Sequence, residues 1–183
     1  MSKKKTALIV VSAVFGLIVI CCLFAYFIFG IKKVSYDTGE WNNLEKTFIY
    51  LPSVDEMGEY DDLKCKYLHK DYFIFQSDAY TLRAKYSEEI FDKQTNYIEN
   101  NYIFQETVLE NGEETAETTF KLDTFEFQML SLSEYNLYFP KQIVFVGISE
   151  EENEIAFVFF DDFDLDYIDK SFSDFLIEEC GWE

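Results

Sequence analysis

From Thr6 to Ile31 the chain runs 26 residues without a charge, with Lys3, Lys4 and Lys5 before the run and Lys32 and Lys33 after it. A helix of that length reaches roughly 39 Å at about 1.5 Å per residue, against a bilayer hydrocarbon core of about 30 Å. The pattern predicts a transmembrane helix over 6–31 surrounded by membrane lipid, with 1–5 as a short tail. A cleavable signal peptide shares the lysine-rich leader. This stretch is longer than a signal core, however, and no small-x-small cleavage site follows it. Cys21 stands where a lipid-modified cysteine would, but bulky Ile20 precedes it and apolar residues continue through Phe27. Lipoprotein processing is the alternative, and it too leaves the chain anchored. The lysine tail is expected to stay cytoplasmic, which makes this a single-pass protein of the cell membrane with its C-terminal part extracytoplasmic.

Past the lysine pair the period of the pattern shortens. Residues 32–46 read as a polar juxtamembrane stalk, with Trp41 at the membrane interface. Residues 47–183 read as one domain. Strands are expected at Thr47–Leu51, at Leu63–His69, and in a hairpin of Tyr72–Phe75 with Tyr80–Tyr86. Ser87 offers an N-cap to a helix over Glu88–Asn100, whose stripe is Ile90, Phe91, Tyr97 and Ile98. Tyr102–Leu109 and Thr118–Met129 follow as strands around an Asn111-Gly112 turn. In the second of these the apolar face shifts at Phe125, which suggests a bulge or a strand buried on both sides. Gln142–Ile148 and Glu154–Phe160, nearly continuous in apolar residues, are the expected central strands. Ser171–Cys180 closes the chain as a helix stopped by Gly181. The fold class is α+β: an antiparallel or mixed sheet with about two helices behind the anchor.

Charge narrows the function. The chain holds 35 acidic and 15 basic residues. All the acids lie beyond residue 33, together with ten of the bases, giving that part a formal charge of −25. Such a surface repels nucleic acid. The 20 Phe and 13 Tyr oppose disorder and indicate a packed core.

Few residues invite chemistry. His69 is the one histidine, placed at a strand end with Cys65 four residues before it. Along a strand that spacing is about 13 Å, too far for a nucleophile and its base. The seven glycines form no phosphate loop, and no Cys-x-x-Cys pair occurs. Nothing in the sequence marks a catalytic or cofactor-binding residue. Cys65 and Cys180 are the two domain cysteines that a disulfide would join. In the acidic run 161–169, Asp162, Asp164 and Asp166 have the alternate spacing of a calcium loop. Tyr167 and Ser173 stand where that loop needs Gly and Glu, so they are metal candidates without an EF-hand. Alternation more simply predicts a solvated acidic face backed by Phe163, Leu165 and Tyr167. The expected function is an anchored binding or interaction module for a protein partner. The alternatives are a tethered hydrolase with a carboxylate site and a structural subunit of a membrane complex.

Overall fold

The computed structural model describes residues 3–45, 51–72, 75–106, 108–110, 113–131, 142–162 and 171–182. Helix α1 covers Lys3–Phe29. Gly30 ends it in the left-handed region at φ 59°, its N–H donating to Tyr26 O at 2.9 Å. A glycine meets that requirement without steric cost. Strand β1, Ile31–Ser35, begins at the next residue.

No polar stalk separates helix from domain. β1 pairs along its whole length with β2, Asp62–Tyr72, from Ile31 opposite Asp71 to Ser35 opposite Tyr67. Helix α2, Thr38–Glu45, then starts where Asp37 Oδ1 accepts the Gly39 N–H at 2.9 Å. Trp41 lies within α2, fully buried, its indole N–H donating to Pro52 O at 2.9 Å. The membrane-interface reading of Trp41 is therefore corrected: a large ring with one donor fits a core position that supplies one acceptor.

Seven strands form one antiparallel sheet in the order β1-β2-β3-β9-β8-β7-β6. The remaining members are β3 (Phe75–Lys85), β6 (Thr119–Leu122), β7 (Phe125–Met129), β8 (Gln142–Ser149) and β9 (Glu154–Asp162). A separate ribbon pairs β4 (Val108–Glu110) with β5 (Glu113–Ala116). The β8–β9 hairpin is central, as its two-sided apolar runs predict.

Three expected strands are corrected. The Gln-Ser-Asp-Ala stretch is not a turn but part of β3, with Ser77 and Ala79 buried on one side and Gln76 exposed on the other. The expected bulge before Phe125 is a two-residue hairpin, Leu122 facing Phe125, with Asp123 at φ 54°. Aspartate tolerates that left-handed conformation better than most residues. Of Tyr102–Leu109, Val108 and Leu109 are strand and Phe104 makes an isolated bridge to Leu130. Of Thr47–Leu51 only Leu51 is described, and it is buried.

Each face of the sheet carries its own core. One gathers Tyr67, Tyr80, Leu82, Val146, Phe157 and Phe159 under Trp41, Met57, Phe91 and Ile98. These last four come from α2, a 3-10 turn at Val54–Met57 and helix α3, Glu88–Asn101. The other face packs Phe120, Phe127, Phe145, Val158 and Phe160 beneath Phe172, Phe175, Leu176 and Trp182. Helix α4, Phe172–Glu178, supplies three of those, capped by Ser171 Oγ accepting the Asp174 N–H at 3.2 Å. Gly147 of β8 faces the Phe127 ring, where a Cβ would lie 2.7 Å from Cδ1 and Cζ. The close approach of strand and ring there needs the missing side chain.

Candidate functional site

Helix α3 touches the sheet through Phe91 and Ile98, and a hollow lies on either side of it. The first, about 320 Å³, is closed by the 3-10 turn on one side and α3 on the other, with Phe157 of β9 in its wall. Its geometry is set locally. Ser53 and Glu56 form a reciprocal capping box, Ser53 Oγ accepting the Glu56 N–H and Glu56 Oε2 the Ser53 N–H. The turn ends at Gly58, φ 75°, where a Cβ would lie 2.9 Å from Gln94 Nε2. That bare backbone lets Gln94 of α3 reach over and donate to Met57 O at 3.1 Å.

Into this hollow come Tyr86, Tyr97 and Tyr102. Burial pushes the Tyr86 and Tyr102 phenols well above the ordinary range, with Tyr97 and the Glu56 charge adding to the shift at Tyr102. Both hydroxyls therefore stay protonated at neutral pH. Ring centroids of Tyr97 and Tyr102 lie 6.3 Å apart at 80°, and those of Tyr102 and Phe157 6.4 Å apart at 88°.

The second hollow, about 1080 Å³, runs between α3 and the β6–β7 end of the sheet. Glu88, Asp92 and Glu99 of α3 share it with Glu126, Glu150 and Glu151. Lys121, the cation lining it, is already bonded to Glu126. Phe91, Phe120, Phe127 and Ile148 also line it.

His69 is not at a sheet edge, because β1 covers β2. Register places it opposite Asp78 of β3. Asp78 Oδ1 accepts the Tyr67 hydroxyl at 2.7 Å and lies 2.9 Å from His69 Nδ1. The trio orients an imidazole, and among the described residues no serine, threonine or cysteine side chain bonds to it. Cys65 sits further along β2.

The cysteines are both free, in the cores of opposite faces of the sheet, so the Cys65–Cys180 disulfide is not formed. Burial raises the Cys65 thiol to about 11, with Asp37 and Glu40 adding to it, and the Cys180 thiol to about 12. Both behave as small apolar residues.

Of the calcium candidates, Asp162 ends β9 and residues 163–170, with Asp164 and Asp166, lie outside the described residues. Neighbouring Asp161 is half-buried and accepts from Gln142 Nε2 at 3.1 Å. Among the described residues no group of three or more His, Cys, Asp or Glu stands close enough to hold a metal ion.

Three described carboxylates have displaced pKa values. Lys93 holds Glu89 low and Lys85 holds Glu152 low. At Glu179 burial opposes the charge, but Lys32 and Lys70 outweigh it. A general acid needs the opposite displacement.

Among the described residues no helix is long and apolar enough to cross a membrane. In α1 the side chains of residues 11–26 are described. All of them are exposed except the intermediate Gly16 and Tyr26.

No family model, curated protein or solved structure matches the chain.

The sequence could not point to the first hollow, because residues 56, 86, 97, 102 and 157 meet only through the fold. The one local signal was Ser53-x-x-Glu56, the pattern of a capping box.

Proposed function

We propose that this is a membrane-anchored binding module: α1 lies in the bilayer and the acidic α+β domain presents the hollows beside α3 to a ligand or protein partner outside it. One observation carries the reading. Val11, Phe15, Leu17, Ile18, Ile20, Leu23 and Phe24 are all more than half exposed, around the whole circumference of one helix. A helix apolar on every side belongs inside a protein or inside a membrane. The sequence of α1 extends this stretch to Thr6–Phe29, 24 residues without a charge. Exposing that surface to water would invite aggregation.

The tri-lysine tail favours an inside N-terminus and an outside domain. Protease added to intact cells carrying an N-terminally tagged chain should remove the acidic domain and leave a tagged fragment of roughly 30 residues in the membrane. Full protection of the domain, with cleavage only after the cells are permeabilised, would contradict the orientation.

A further inference from the structure

Charge is spread unevenly over the sheet. Of the chain's 35 acidic residues none falls in 31–36 or 63–70, where five lysines do. These two segments carry β1 and most of β2, which pair with each other, and β1 closes one end of the strand order. An otherwise acidic domain thus has one basic edge.

The lysines are mostly on one side of it. Alternation puts Lys64, Lys66 and Lys70 on the face of Leu68, the face that α4 covers, and register sets Lys32 opposite Lys70 and Val34 opposite Leu68. Glu179 bonds Lys32 at 2.8 Å and Lys70 at 3.4 Å, and Asp62 lies 3.8 Å from Lys64. Among the described residues Lys66 enters no ion pair, and its Nζ stands 6.0 Å from the centre of the Tyr36 ring. That ring is 72 % exposed, and Val34 is exposed as well. Lysine stems, a tyrosine and an aliphatic side chain together are what a membrane interface accepts, apolar below and polar at the headgroups.

We propose that this edge lies flat on the bilayer that holds α1, with Lys32, Lys64 and Lys66 against the phosphates of anionic phospholipids and Val34 and Tyr36 at headgroup level. The proposal rests on α1 lying in that bilayer. The chain passes from α1 straight into the edge. Gly30 ends the helix in the left-handed region, which turns the backbone off the helix axis, and Ile31 already pairs with Asp71. A tethered acidic domain is repelled by an anionic surface on its other sides, so charge selects this one.

Distance separates a flat edge from an upright one. The five strand steps from Ile31 to Tyr36 cover about 17 Å, and Lys64 lies two residues beyond Lys66 along β2. The headgroup layer is only about 5–8 Å deep. With the edge upright, Lys64 and Lys66 stand in water; with it flat, they meet the lipid.

The test is amine acetylation, read by mass spectrometry, of the full chain in nanodiscs holding one chain each. The discs contain phosphatidylcholine alone or phosphatidylcholine mixed with phosphatidylglycerol. Lys64 and Lys66 should react at least about threefold more slowly in the anionic discs, and high salt should restore their rates. Lys93 and Lys121, exposed on α3 and β6, are the references and should react alike in both lipids. Equal rates for Lys64 and Lys66 in the two lipids would overturn the proposal. So would protection that appears only with two chains in a disc, which would place a second copy on the edge. A chain that stays in solution without entering the discs would overturn the anchor and this proposal with it. A chain that enters them with Lys64 and Lys66 unprotected would overturn only the flat edge and leave the anchor standing.

Discussion

Replacing Trp41 with alanine should lower the stability of the domain by about 3–5 kcal/mol, the range for truncating a large buried aromatic. The indole is completely buried, 6.2 Å from the Phe157 ring by centroid, and its N–H is satisfied by Pro52 O. Alanine leaves both a cavity beside Phe157 and a carbonyl without its donor. For a domain of about this size the midpoint of thermal unfolding should fall by roughly 10 °C or more. Thermal or urea unfolding of the detergent-solubilised chain measures it. A change under about 0.5 kcal/mol, typical of surface positions, would return Trp41 to the stalk expected from sequence.

The second large effect is expected on the other face. Arg83 of β3 bonds Glu154 of β9, which is only 6 % exposed, and its guanidinium lies 4.9 Å from the Phe125 ring and 5.4 Å from the Trp182 ring. Arg83→Met keeps the packing volume but strands a buried carboxylate. Breaking a buried pair from one side costs about 3–5 kcal/mol. The cost here should be nearer about 2–3 kcal/mol, because Lys85 Nζ remains 3.8 Å from Glu154 Oε1. Adding Glu154→Gln removes the stranded charge, so the double variant should be more stable than Arg83→Met alone. A double variant as unstable as the sum of two single losses would mean that the ring contacts of Arg83, not its ion pair, carry the energy.

These two residues also show where reading the sequence succeeded and where it could not. Period and length made the helices, expected at 88–100 and 171–180, and the central hairpin visible, because each carries an apolar pattern over successive turns or rungs. The five residues Ile-Lys-Lys-Val-Ser offer no alternation, and lysines after an apolar run suggest a membrane boundary instead of a strand. β1 exists because its register with β2 supplies the hydrogen bonds. Trp41, set among polar neighbours, gave no local sign of burial. With β1 unseen, β2 looked like an edge and His69 like an isolated histidine; its contact with Asp78 depends on a cross-strand register that no local pattern encodes. The first hollow was hidden for the same reason, its walls being drawn from the 3-10 turn, α3, β9 and the segments between them.

The anchoring proposal depends most directly on how the full chain leaves the membrane. Membranes containing it should be washed first with high salt and then with alkaline carbonate. Peripheral proteins, including any held by the charged rim of the sheet, are released by these washes, whereas a spanning helix stays with the bilayer. The chain is expected entirely in the pellet after both washes and in solution only after detergent, and a chain lacking residues 3–29 is expected in solution from the start. Release of the full chain by carbonate would contradict the anchor and require another partner to cover the apolar surface of α1.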